Sequence, residues 1–307
     1  MMRTCSNNFP IPVRAAIVVV SLLVLFNLAC NKDDSGITSN EPTWTEPEHY
    51  SKETEPTLSL DREFIYFVVS DTLFPDKHGI YRARVDSPAR EKVLAGFGFH
   101  SPVVSASGFE VAFLTGSTLN YLKLADGTVT SAGVSGNYEV ILPLNDSLYV
   151  GCAGQQLYLI NSRDSSVTRL GTGSDPTRYG PNRFIALTEV SAGAYAILKF
   201  TYRDDVEGDL FSIDTLDMLS ASGEIRWLSL ESIQKRYVYV EKLDTVNNVY
   251  TGQVGTTVKN FIATTDHVKA HILGYNLLIY PGPDGRFYQS NFEGSSKAPF
   301  WHAEETQ

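Results

Sequence analysis

The side chains that could perform chemistry are dispersed along this chain and form no known catalytic motif. The six histidines lie at positions 49, 78, 100, 267, 271 and 302. His267 and His271 have a spacing that converges on a metal only on a helix, whereas the surrounding residues have a strand-like pattern. The acidic run 203–209 could offer oxygen ligands to calcium, but it lacks the downstream glutamate of an EF-hand loop. The sequence therefore predicts no metal site and no cofactor.

Carboxylates in turn-rich segments are the remaining candidates for catalysis. They belong to Asp71, Asp76, Asp205 and Asp284. Two such groups about 5–10 Å apart across a cleft could hydrolyse a glycosidic bond. No motif fixes any pair of them at that separation, so we predict binding in preference to catalysis. A surface polysaccharide hydrolase or lyase stays open as the alternative.

Cys30 has the surroundings of a residue that receives lipid. An apolar run of 15 residues, from Ala15 to Ala29, precedes it, and Arg3 and Arg14 come before that run. The run is shorter than the roughly 20 residues that span a membrane. The layout resembles a bacterial lipoprotein signal, in which a small residue at the cleavage site precedes the lipidated cysteine. A plain secretory signal and a retained anchor are the alternatives.

The residues after Cys30 indicate where the anchored protein lies. Asn31-Lys32-Asp33-Asp34 resembles the signal with which some Gram-negative bacteria export lipoproteins to the cell surface, and a generic acidic tether is the alternative. We predict a cleaved signal over 1–29, a flexible tether over 30–57, and a folded domain over 58–303 with a short tail over 304–307. The lipid, a palmitate among its acyl chains, would anchor the protein in the outer membrane, at the cell surface or on the periplasmic face.

The composition limits the partners and the sources of stability. The chain has a formal net charge of -10, and loss of the signal removes two further arginines. Such an acidic protein is a poor partner for nucleic acid. Cys152 is the single cysteine left after cleavage and lipidation, so no intramolecular disulfide is possible, and its apolar surroundings predict a buried thiol. A hydrophobic fraction of 43% is ample for a core.

Short apolar runs separated by turn residues predict an all-β domain from Leu58 onward. The tyrosines at positions 81, 121 and 158 lie in similar motifs that are 40 and 37 residues apart, and Tyr288 lies in a late copy. This period is typical of a four-stranded propeller blade. We predict about six blades, over 58–97, 98–135, 136–178, 179–229, 230–268 and 269–303. One short helix is predicted over 230–236.

One segment of the second predicted blade carries a family resemblance. His100 to Phe113 includes Pro102, Ser105, Gly108 and the run Val111-Ala112-Phe113. This order resembles the repeat of TolB-like, or WD40-like, β-propellers. The resemblance implies a six-bladed propeller fold, with a closed β-sandwich as the structural alternative, and it makes a periplasm-facing envelope assembly factor a further functional alternative.

Propellers bind partners at the face where loops connect successive blades and where the middle strands of a blade connect. On the predicted blade boundaries, that face gathers candidate ligand-binding residues: Asp76, His78, Phe97, His100, Arg178, Tyr179, Arg203, Asp205 and His271. Aromatic and arginine side chains suit glycan stacking or a protein interface. The sequence thus predicts a binding or scaffolding module for a protein or glycan at the outer membrane.

Overall fold

A computed structural model describes residues 52–87, 89–203, 210–274 and 276–300. Within these ranges, 24 strands form six antiparallel sheets of four strands each. The predicted all-β propeller with six four-stranded blades is confirmed. Cys30, the predicted signal, the C-terminal tail and Asp205 lie outside the described residues.

Every blade consists of four strands that are consecutive in the sequence. The strands are β1 (Lys52–Leu58), β2 (Phe64–Ser70), β3 (Gly79–Arg84) and β4 (Arg90–Ala95); β5 (Phe99–Val104), β6 (Glu110–Thr115), β7 (Thr118–Lys123) and β8 (Val129–Ser135); β9 (Val140–Pro143), β10 (Leu148–Ala153), β11 (Gln156–Asn161) and β12 (Ser166–Thr172); β13 (Ser174–Gly180), β14 (Arg183–Ser191), β15 (Ala194–Tyr202) and β16 (Phe211–Ser220); β17 (Glu224–Glu231), β18 (Arg236–Leu243), β19 (Val246–Gln253) and β20 (Lys259–Thr265); and β21 (His271–Gly274), β22 (Leu277–Pro281), β23 (Phe287–Ser290) and β24 (Lys297–Pro299).

Helical structure in the described ranges is limited to one 3-10 turn, Pro75–Lys77, in the connection between β2 and β3. No helix in those ranges has the length and apolar character needed to cross a membrane.

The first strand of each blade is its innermost strand. Strands β1, β5, β9, β13, β17 and β21 contact one another in that order, and β21 contacts β1, so they form a ring around a central channel. Because neighbouring strands are antiparallel, connections between blades lie at the same end as those between second and third strands. We call this the inter-blade end. The hairpins from first to second strand and from third to fourth strand lie at the opposite end, the first-hairpin end.

The sequence repeat reflects burial between blades. Phe67, Phe113 and Val150 lie in the second strands of their blades and are almost fully buried. Neighbouring blades cover both faces of such a strand, so a short run of apolar residues replaces the usual alternation. The recurring tyrosines at 81, 121, 158 and 288 all lie in third strands. The motif therefore marks equivalent positions in blades 1, 2, 3 and 6.

The ring closes without an exchanged strand, because blade 6 ends with its own β24 and blade 1 begins with its own β1. Apolar side chains of the two blades form a shared cluster, in which the rings of Phe67 and Phe287 meet edge to face with centroids 5.5 Å apart. The backbone N–H of Glu53 donates to the carbonyl oxygen of Gly285 at 2.9 Å. Side-chain packing thus holds blade 6 against blade 1.

Blade 1 begins six residues before the predicted start of the folded domain at Leu58. β1 covers 52–58, whereas the expected boundary lies between 57 and 58. Two glutamates and Pro56 make this stretch resemble a solvated linker. In the fold, Glu53 is buried and forms an ion pair with Arg90, with 2.6 Å between Oε1 of Glu53 and Nη2 of Arg90. Glu55 forms an ion pair with Lys269. These partners make burial of acidic residues possible in a strand.

The predicted boundaries of blades 4 and 5 are also wrong. Blade 4 begins with β13 at Ser174 and blade 5 with β17 at Glu224, five and six residues before the expected starts at 179 and 230. The helix predicted over 230–236 is the turn between β17 and β18. There the Glu231 carboxylate accepts hydrogen bonds from the backbone N–H groups of Ile233 and Gln234, at 2.7 and 2.6 Å. These bonds close the chain into a hairpin.

Candidate functional site

Three inner strands carry the same irregularity where they face the channel. Glu55, Ser101 and Asp175 each precede a proline and adopt positive φ angles of 57°, 50° and 52°. At each of them the pairing with the second strand shifts in register. A residue other than glycine in this conformation costs about 1–3 kcal/mol and persists only where the surroundings hold it. Strain of this kind, repeated in three blades, makes the channel wall a candidate functional region.

Near these bulges, Lys269 is the centre of a group of charged and aromatic side chains. It forms an ion pair with Glu55, and its ammonium lies 5.3 Å from the centroid of the Trp227 ring. Burial, the largest single effect, would raise the pKa of Glu55, but the charge of Lys269 and its hydrogen bond, with smaller effects of His100 and the Ser101 backbone, together lower that pKa below its usual range. The Trp227 indole N–H donates to the carbonyl oxygen of Ala270 at 2.8 Å. These contacts hold blades 1, 5 and 6 together at the channel.

A cavity of about 280 Å³ lies in the channel between the six inner strands. Its charged and aromatic lining includes the side chains of Glu55, Arg178, Tyr179, Trp227, Lys269 and His271. The cavity reaches the first-hairpin end, where Arg62 and Ser232 also line it. Its volume is close to the lower limit of about 300–1,000 Å³ for ligand pockets.

His271 presents an unused hydrogen-bond acceptor in the cavity wall. Its ring bonds to the backbone of Pro56, and its Nε2 atom is buried without a partner among the described residues. Proline has no N–H, so the bond to Pro56 requires an imidazole N–H donor, which must be Nδ1. Burial lowers the pKa of His271 to about 3. The ring is therefore neutral at physiological pH, and Nε2 carries a free lone pair.

Arg178 presents unused donors in the same cavity. Its Nη1 atom is buried and has no hydrogen-bond partner in the described ranges. Burial lowers the pKa of the guanidinium, and no carboxylate contributes to that shift. An arginine in a protein stays charged, and a buried charge is costly unless it is paired. Arg178 thus has the properties of a residue kept for a ligand.

Arg178→Met is expected to raise the free energy of unfolding of the ligand-free protein by about 1–3 kcal/mol, because it removes a desolvated donor that has no partner. Urea unfolding measures the change through the midpoint at constant slope. Arg183→Met, five residues away at an exposed position, is the matched control and should change stability by less than about 0.5 kcal/mol. A loss of stability in Arg178→Met would show that the guanidinium has a partner in the folded protein.

The structure places the sequence-predicted residues in three locations. Asp76, His78, Phe97 and His100 lie at the inter-blade end, as expected. There the rings of His78 and Phe97 are in contact, with centroids 4.2 Å apart. A His78 ring nitrogen contacts the backbone carbonyl of Asp71, and His100 Nε2 bonds to the carbonyl of Gly116 at 2.9 Å. Local backbone contacts therefore occupy both histidines.

The prediction that Arg178, Tyr179 and Arg203 share that end is wrong. Arg178 and Tyr179 are near the end of β13, an inner strand, and Arg203 follows β15, so all three lie toward the first-hairpin end. The error follows from the late start assigned to blade 4. His271 is the first residue of β21 and lies in the channel wall. Of the predicted residues that the structure describes, Arg178, Tyr179 and His271 come together at the cavity.

Sequence reasoning missed Glu55, Lys269, Trp227 and Asp175. A usable signal was present, because Glu55-Pro56, Ser101-Pro102 and Asp175-Pro176 repeat an X-Pro pair in three of the inner strands, β1, β5 and β13. Burial raises the pKa of Asp175 to about 7. The described residues contain no group of three or more metal-ligating side chains.

Comparison with solved structures connects this geometry to known propellers. TolB from Acinetobacter baumannii aligns with a TM-score of 0.53 and 14% identity, over 76% of this chain and 62% of that chain. A putative TolB from Agrobacterium tumefaciens aligns with a TM-score of 0.50 and 12% identity, over 69% and 84% of the two chains. A loop-replaced variant of Kluyveromyces lactis Hsv2 aligns with a TM-score of 0.50 and 7% identity over 84% of each.

These similarities establish the fold alone. This chain spans less than two thirds of the length of the Acinetobacter TolB. No protein-family model matches the sequence, and no curated protein sequence matches it.

Proposed function

We propose that this protein is a lipid-anchored, extracytoplasmic binding module that takes part of a protein or glycan partner into its central cavity. The observation that carries the proposal is that two of the eight buried polar side-chain atoms without a hydrogen-bond partner in the described residues, Arg178 Nη1 and His271 Nε2, line one cavity. Unpaired buried polar atoms are rare in folded proteins because each costs about 1–3 kcal/mol. A ligand that satisfies both would recover this cost.

The state of the cavity carboxylates favours binding over catalysis. Glu55 is paired with Lys269, and Glu231 accepts two backbone hydrogen bonds that shape the turn after β17. Glycoside hydrolysis requires two carboxyl groups that are free to transfer a proton and to attack or activate water. Both carboxylates of the cavity lining have structural roles instead. A polysaccharide hydrolase or lyase would need its acidic groups elsewhere.

The anchor in this proposal is the lipid on Cys30, which supports an outer-membrane location at the cell surface or on the periplasmic face. The expected result for Cys30→Ser is release of the protein from the membrane fraction and loss of the mass of the attached lipid. Proteinase K applied to intact cells separates the two faces, because it degrades only a surface-exposed protein. Intact protein on whole cells would favour the periplasm-facing assembly factor.

Photo-crosslinking in intact cells tests the binding site itself. A benzophenone side chain in place of Tyr179, which lines the cavity, should capture the partner in the full-length lipoprotein. The matched control carries the same group in place of Phe97, which is exposed at the inter-blade end. Mass spectrometry then identifies a captured protein or a glycan adduct. Capture from position 97 alone, or from neither position, would contradict a ligand site in the cavity.

A further inference from the structure

We propose that the cavity binds an acidic sugar, with its anionic group on the Arg178 guanidinium and one of its hydroxyl groups donating to His271 Nε2. This inference rests on the proposed function, since it names the ligand class of the same cavity. It follows from the hydrogen-bond partners that Arg178 and His271 lack and from the volume of the cavity.

Arg178 requires an anion. A guanidinium offers only donors, in a planar arrangement that matches the two oxygens of a carboxylate or the oxygens of a phosphate. Among the described residues, neither cavity carboxylate neutralises it, because Lys269 pairs with Glu55 and backbone N–H groups occupy Glu231. Arg62 lines the cavity at the same end and adds a second guanidinium. Two guanidinium groups, those of Arg62 and Arg178, thus line the cavity toward the first-hairpin end.

His271 requires a donor. Its Nδ1–H is committed to the Pro56 carbonyl, which fixes Nε2 as an acceptor. A carboxylate, or a phosphate group in its doubly ionised form, cannot satisfy that acceptor, because it has no proton to donate. The ligand must carry an O–H or N–H group together with its anion. A ring with an acidic substituent and several hydroxyl groups has both.

The volume of the cavity limits the ligand to a single sugar ring. The cavity of about 280 Å³ is at the small end of ligand pockets, and prolines and valines of the inner strands form its apolar walls. Trp227 is almost fully buried and carries Lys269 against its ring, so it does not offer a free face for stacking. Recognition therefore depends on the two polar groups and the fit of one sugar unit.

Calorimetric titration of the full-length lipoprotein in detergent tests this inference. The probes are glucuronate and galacturonate, glucose 6-phosphate, and neutral glucose and galactose. The acidic sugars should bind at least about tenfold more tightly than the neutral ones, as expected for a charge-assisted hydrogen bond. The uronates and the sugar phosphate distinguish a carboxylate from a phosphate as the preferred anion. Equal binding of acidic and neutral sugars, or no binding of either, would overturn the proposal.

Two variants assign the contacts. Arg178→Met should weaken binding of the acidic sugar at least about tenfold more than it weakens binding of neutral sugars, while His271→Phe should weaken both to a similar extent. Arg183→Met, at an exposed position in the same blade, should bind like the parent. Unfolding curves show that the variants are folded. If acidic sugars fail to bind but crosslinking from position 179 captures a partner, the ligand class is wrong and the binding site stands.

Discussion

Phe287→Ala is expected to lower the free energy of unfolding by about 3–5 kcal/mol, a typical cost of truncating a fully buried phenylalanine. Phe287 is 2% exposed and packs edge to face on Phe67 of blade 1. No strand is shared between the first and last blades. The cluster around this pair is therefore the apolar part of the closure, beside the Glu53–Gly285 backbone bond and the Lys269–Glu55 ion pair, and a cavity within it would weaken the packing of blade 6 on blade 1.

Urea unfolding followed by tryptophan fluorescence measures this effect. Phe109→Ala is the matched control, because Phe109 is 75% exposed and its truncation should cost less than about 0.5 kcal/mol. Hydrogen exchange adds a local readout, since opening of the closure should first deprotect the amides of β1, β2, β22 and β23. A loss below about 1 kcal/mol in Phe287→Ala would mean that other contacts close the ring.

Asp175→Asn is expected to gain stability relative to the parent as the pH rises from about 5 to 8, by about 3 kcal/mol. Burial raises the pKa of Asp175 from 3.8 to about 7, and each pKa unit corresponds to about 1.4 kcal/mol. Between these values the unfolded chain has released a proton that the folded protein retains. Stability from this carboxyl is complete below about pH 4 and is lost as the pH rises to about 7.

The groups around Asp175 set this shift. After burial, the hydrogen bond from Ser174 and the charges of Lys269 and Arg226 lower the pKa, and the charge of Glu139 raises it. Burial also raises the pKa of the neighbouring Cys152 thiol to about 12, so that thiol stays neutral in this range. Asparagine tolerates the positive φ at this position as well as aspartate does. The substitution therefore removes the charge and keeps the backbone.

Unfolding free energies of parent and variant, measured from pH 5 to 8, isolate this contribution. The difference between parent and variant is needed because the protonation of other groups also changes the stability of both proteins with pH. Burial raises the pKa of Glu53 to about 7 in spite of its ion pair with Arg90, and acts in the same direction. His271 acts oppositely, since its lowered pKa makes the folded state gain stability as the pH rises toward 6.5. Asp164→Asn, at an exposed turn, is the control. A pH-independent difference for Asp175→Asn would contradict the prediction.

The sequence by itself determined the fold class and the number of blades. Each blade repeats one local pattern of burial, so the phenylalanines of the second strands and the tyrosines of the third strands recur about every 40 residues. The repeat weakens where blade 4 has strands of nine and ten residues, and there the predicted boundaries were wrong.

The tertiary structure decided which residues face one another across the channel. Lys269 contacts Glu55, which lies 214 positions away in the sequence. The hydrogen bond to the carbonyl oxygen of Pro56, near the start of the domain, determines which ring nitrogen of His271 carries the proton. Such pairs leave no local pattern, because each side chain comes from a different inner strand and the ring alone brings them together. Burial then decided their chemistry. It lowered the pKa of His271, raised that of Asp175 and left the guanidinium of Arg178 without a partner in the described part of the chain.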